Sequence, residues 1–289
     1  MRFLKAWLLL ALPLASLVAA DVQSAAVALS EPLARWRAEI ERRGQRKVVL
    51  ARVYTDAERN ELILPEDAEY RPLLGRVLSS ESFRQQFPRS HAMAVNLPAS
   101  GARMHCILLN MALAHEWSGA EDALIAHEFG HVWLEALGYP SPAYAAGSDP
   151  CVSVHSGDIV QHILIREEIR RRGIPYLGYW LRNLETAKRQ LESQPGGAAV
   201  ESGCRRLALL TLWLDSTLGL TPEQWNHLDE FHTLLADRFP GLRPHAAALH
   251  AYLRDLDLHD RRTYRDALVH TFQELASIVA GPADLIETK

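Results

Sequence analysis

Ala123-Leu124-Ile125-Ala126-His127-Glu128-Phe129-Gly130-His131-Val132-Trp133-Leu134 is the stretch from which the rest of the chain is read. Within an apolar, helix-compatible run it sets two histidines four residues apart, with a glutamate directly after the first. Residues four apart on a helix share a face, so both imidazoles can address one metal ion. Glu128 then stands where its carboxylate can reach a metal-bound water. Two imidazole ligands, a carboxylate base, and positions left for a further ligand and a water are the parts of a catalytic zinc site. The bland alternative is a pair of core histidines beside a buried glutamate. It leaves a carboxylate desolvated with no cation to compensate it, which is costly.

The flanks delimit the helix. Ser118 and Glu121 have the spacing of a capping box, and Gly138 followed by Pro140 supplies a stop. A helix over 119–137 is predicted, apolar on most sides and therefore buried. Residues 124–133 resemble the extended zinc-binding consensus of the zincin metallopeptidases, with uncharged residues around H-E-x-x-H and an apolar residue two after the second histidine. The resemblance is specific over this helix and does not extend along the chain. The metzincin extension is absent, since Leu137 stands six residues after His131, and no clear thermolysin-like E-x-x-x-D follows. The resemblance implies bound Zn2+ on His127 and His131, Glu128 as general base, and peptide-bond hydrolysis. It also implies a small sheet packed on the motif helix, its edge strand able to hold an extended peptide.

A catalytic zinc commonly takes three protein ligands. The segment His155-Ser156-Gly157-Asp158-Ile159-Val160-Gln161-His162-Ile163-Leu164-Ile165-Arg166-Glu167-Glu168 is the natural source of the third. His162 is the first choice, because it lies in an otherwise apolar stretch and Asp158, one turn earlier, can orient its ring. Glu167 is the main rival, a charge at the middle of an apolar face unless it pairs with Arg170 or Arg171. His155, Asp158 and Glu168 remain further candidates. Tyr139 and Tyr144, just past the motif helix, are candidate oxyanion stabilisers, and His115 could line the cleft; packing or surface roles are the competing readings. His227/His232 and His245/His250 are each five apart and fall on diverging faces.

The beginning of the chain reads as a cleaved secretory signal over 1–20: Arg2 and Lys5, an apolar core over 6–18, then Val18-Ala19-Ala20 before Asp21. A secreted or periplasmic protein, with no stable membrane insertion after cleavage, is expected. About 270 residues then remain, enough for one large domain or two small ones. We take 21–289 as one zincin-like unit, with the sheet and motif helix in 21–155 and a helical half in 156–289. The net charge of −4 gives no sign of a nucleic-acid partner. The arginine-rich run over 166–172 reads as a solvated helix end. Of Cys106, Cys151 and Cys204, an oxidising compartment favours one disulfide, with Cys151–Cys204 preferred.

The expected fold class is α+β and mostly helical. Helices are predicted over 31–44, 72–86, 157–172, 176–193, 203–218, 222–238, 244–256 and 261–279, and strands over 47–54, 91–97 and 104–110. Thr221-Pro222-Glu223-Gln224 reads as a second capping box, and Gln194-Pro195-Gly196-Gly197 as a hinge. The leading functional reading is a zinc-dependent peptidase acting on a peptide or protein substrate. A non-catalytic zinc- or partner-binding domain and a cell-wall amidase are the alternatives; the oligomeric state stays open.

Overall fold

A computed structural model describes residues 29–56, 60–62, 70–80, 83–84, 87–99, 102–140, 150–193 and 203–280. The expected signal segment, the 194–197 hinge and Tyr144 lie outside the described residues. The described chain is α+β, a small mixed sheet among helices. Its elements are α1 (Glu31–Gly44), β1 (Val48–Val53), β2 (Glu61–Leu62), α2 (Tyr70–Leu78), β3 (Ala92–Ala99), β4 (Ala102–Asn110), α3 (Ala114–Trp117) and α4 (Glu121–Ala136). The helical half follows with α5 (Pro150–Arg171), α6 (Leu177–Ser193), α7 (Gly203–Gly219), α8 (Leu228–Arg238), α9 (Arg243–Leu253) and α10 (Arg261–Ala280).

The sheet order is β2-β1-β4-β3, with β1 and β4 parallel at its centre, Leu50 opposite Ile107, and β3 antiparallel to β4 at one edge. The near-continuous apolar run of β1 follows from burial on both faces. Val48 and Leu50 join Ile107 and Leu109 in the main core with α1 and α4. Val49, Ala51 and Val53 face the other way, with Met104, Cys106, Leu108, Leu74 and Phe87. The 3.6-residue rhythm of α1 buries Leu33, Trp36 and Ile40. Trp36 meets Phe129 of the motif helix edge to face, centroids 5.9 Å apart. Helix α4 runs along the edge strand β3.

Several boundaries differ from expectation for local reasons. Ser118 caps nothing: it follows α3, Gly119 takes φ +74°, and α4 starts after Ala120 without a side-chain cap. The α4 stop forms as expected. Gly138 adopts φ +78°, its N–H donates to Glu135 O, and Tyr139 N–H donates to Leu134 O, the paired bonds of a Schellman ending. Helix α2 stops at Leu78, where Ser79 Oγ bonds Arg76 O and Ser80 Oγ takes the N–H of Phe83. Gln224 does return its side chain to the N–H of Thr221, but this closes a turn, and α8 begins only at Leu228.

Helix α5 begins at Pro150, earlier than the sequence suggests, with proline at its first position. Cys151 in its first turn is joined to Cys204 in the first turn of α7, and Cys106 is a buried free thiol. The helix is unbroken at residues 155 and 156, where two halves were expected to meet, and it packs on α4, α7 and α10. Its arginine-rich end is solvated at Arg170 and Arg171, as expected, but not at Arg172. Arg172 donates to Glu39 and Glu168 and lies over the rings of Trp36 and Trp133. No helix among the described residues is long and apolar enough to cross a membrane.

Candidate metal centre

Helix α4 contributes His127, Glu128 and His131, and α5 crosses it closely enough to bring up His162. The crossing needs the glycine inside the motif. A Cβ on Gly130 would lie 2.5 Å from Ile165 Cγ2 and 2.7 Å from Ile165 Cγ1, so any larger residue would push α5 away. Positions 158, 161, 162 and 165 share one face of α5. That face therefore supplies packing through Ile165, a ring through His162, and polar groups through Asp158 and Gln161.

The three imidazoles form a compact cluster. Ring centroids are 5.0 Å apart for His127–His131, 4.7 Å for His127–His162 and 5.5 Å for His131–His162. One donor nitrogen of each lies within 4.8 Å of the other two, and Nε2 of His127 is 3.4 Å from Nε2 of His131. Every ring is held from behind through Nδ1. His131 Nδ1 donates to Gln161 Oε1 at 2.7 Å. His162 Nδ1 meets Asp215 Oδ2 at 2.9 Å, and His127 Nδ1 faces the Tyr176 hydroxyl at 3.3 Å. The acceptor oxygens at Nδ1 of His131 and His162 select the tautomer that leaves Nε2 as a ligand, the arrangement metal-binding histidines ordinarily show. Three neutral imidazoles suit zinc among the common divalent ions and leave coordination positions free for water, so the donor set fits the ion that the sequence suggests.

Burial first, and then the neighbouring His162, hold His127 well below the usual histidine range; the same two causes bring His131 to about 4. Both are thus neutral, the form a metal requires. Burial lowers His162 as well, but Asp215 outweighs it and the net shift is upward. For Asp215, burial pushes up while His162 and Arg166 pull down more strongly, leaving the carboxyl well below its normal range. Arg166 Nη1 bonds Asp215 Oδ1 at 2.8 Å, and its guanidinium lies 4.8 Å over the Trp180 ring. The His162 anchor is therefore a chain of contacts from α5 to Asp215 on α7, back to Arg166 on α5, and on to Trp180 on α6. Glu128 is buried beside the cluster. Desolvation raises it to about 7, against the backbone N–H of Ala94 on β3, which lowers it.

Of the sequence candidates, the structure brings together His127, Glu128, His131 and His162. Asp158 does not orient His162: its Oδ1 lies 4.0 Å from Nε2, on the ligand side of the ring, and Asp215 takes the orienting place. Glu167 points away and pairs with His259 Nε2 at 3.1 Å, not with Arg170 or Arg171. His155 bonds Thr211, and Glu168 is taken by Arg171 and Arg172. The Tyr139 hydroxyl donates to His259 O at 3.0 Å and its ring packs on Tyr264, a structural role. His115 is exposed beside Glu116. Sequence reasoning missed Gln161, Tyr176, Arg166 and Asp215. Asp215 carried a signal, being the lone charge in the apolar run over 207–222.

No family model, curated protein or solved structure matches this chain.

Proposed function

We propose that this chain is a secreted or periplasmic zinc-dependent metallopeptidase of zincin type. The reading rests on one observation above all: three imidazoles, each anchored at Nδ1, converge beside the buried carboxylate of Glu128. His127, His131 and His162 would hold the ion. Zinc bound there would acidify a coordinated water toward a pKa of about 7 and polarise a scissile carbonyl. Glu128 takes the proton of the attacking water on a carboxylate oxygen and returns it to the leaving amine nitrogen. Its raised affinity for a proton suits that task. The edge strand β3 lies along the motif helix and ends the sheet, so an extended peptide could add to it by main-chain hydrogen bonds within reach of Glu128. Secretion is supported by the signal-like beginning of the sequence and by the Cys151–Cys204 disulfide, which favours an oxidising compartment.

The test is Glu128→Gln in protein loaded with one equivalent of zinc. The amide keeps the shape of the side chain but cannot take the proton. Zinc content should be unchanged, while kcat/KM on a peptide identified from an unbiased library should fall by roughly 10²–10⁴-fold. Near-normal hydrolysis by the variant would remove Glu128 from its role. A zinc-loaded wild type that cleaves nothing in the library would favour the non-catalytic, zinc-binding reading.

A further inference from the structure

One group of the centre has no part in the scheme above. Asp158 sits one turn before His162 on α5, on the same face, and its Oδ1 lies 4.0 Å from His162 Nε2. That nitrogen is the one left free for an ion, since Nδ1 is taken by Asp215. The Asp158 side chain is 30 % exposed, so water reaches it. Apart from the long approach to His162, its carboxylate makes no hydrogen bond or ion pair to the described residues. Its oxygen also falls outside the set of donor atoms that lie within 4.8 Å of one another. It is therefore too far out to be a fourth ligand and too close in to be indifferent to an ion.

We propose that Asp158 is an outer carboxylate of the metal centre, which stabilises a bound dication through its charge and by accepting a hydrogen bond from a water coordinated to it. This deepens the metal-centre reading and depends on it, but not on peptidase activity. Three observations carry it: the shared face with His162 and Gln161, the 4.0 Å approach on the ligand side of the ring, and the lack of any other partner among the described residues. Asp158 also lies near enough to Glu128 to disfavour its charge. A cation held by the three rings would offset that cost.

The test is zinc affinity, measured by competition with a chromogenic chelator on the full folded chain. Asp158→Asn removes the charge at nearly constant volume and should weaken zinc binding by about 10–100-fold, the range for residues that support a metal from outside its ligand set. Asp158→Glu, which restores the charge on a longer arm, should recover most of the loss. Far-UV circular dichroism and the urea midpoint of the zinc-free proteins report whether each variant is folded. Affinity within twofold of wild type for a folded Asp158→Asn overturns the inference. So does Asp158→Glu binding no better than Asp158→Asn, because the charge is then not what matters. If the wild type itself binds no zinc, the metal centre fails as a whole; if it binds zinc and only the Asp158 result is flat, this inference alone falls.

Discussion

Helix α5 carries two ion clusters ten residues apart, one partly buried and one buried, and they are built to opposite plans. At its carboxy-terminal end Arg172 reaches Glu39 at 2.8 Å and Glu168 at 2.6 Å, with Arg171 and Arg43 completing the network and two tryptophan rings beneath. Each charge there has its counter-charge, and both glutamates are held below their ordinary range because the arginines outweigh the burial that would raise them. In the middle of the helix the charges behind His162 are also paired, through Asp215 and Arg166. In front of the ring the pairing stops. Three ring nitrogens face one another, Glu128 is buried against them, and Asp158 stands alongside with only the 4.0 Å approach to His162 Nε2 among the described residues. The difference separates a clamp from a site. A cluster that satisfies itself holds helices together, whereas one that satisfies only its back calls for a cation at its front.

The contrast can be broken by exchanging the readouts. Arg172→Ala should be the larger effect. It removes one partner from each of Glu39 and Glu168, which keep Arg43 and Arg171, and uncovers Trp36 and Trp133, so urea unfolding should show a loss of about 3 kcal/mol, while zinc affinity stays within twofold of wild type. A large change in affinity would mean that the two clusters are coupled along α5. Asp215→Asn should act the other way. It keeps the shape but weakens the hold on His162 Nδ1 and leaves Arg166 without its counter-charge, so zinc affinity should drop by about 10–100-fold. Affinity unchanged in that variant would show that the His162 ring needs no anchor.

Much of the site was legible because its parts lie close in sequence. The four-residue spacing of His127 and His131 needs only a helix to bring both rings together, and the apolar run around them predicts that helix. His162 was legible as a polar residue in an apolar stretch. The anchors were not, because they come from 30, 49 and 53 residues away, for Gln161, Tyr176 and Asp215 respectively. No local period links such pairs; only the packing of α5 on α4 and α7 does. Asp158 was assigned to orient the ring because it is one helical turn from His162. The same spacing holds in the structure, but it sets the carboxylate on the other nitrogen. Helix boundaries failed where short polar side chains chose between neighbours, as Ser79 and Ser80 did in ending α2. Strand β1 was legible from its β-branched residues and β3 and β4 as apolar runs either side of a turn, but β2 and the parallel pairing of β1 with β4 were not, since the segments between them had to be placed first.

The central claim is that His127, His131 and His162 form one metal centre, with the third ligand supplied by α5. Zinc stoichiometry after loading and exhaustive dialysis, compared between wild type and a folded His162→Ala variant, tests it directly. Close to one zinc per wild-type chain is expected, with loss of tightly held metal in the variant. A wild type without stoichiometric zinc, or a His162→Ala chain that retains it at wild-type affinity, would contradict the claim.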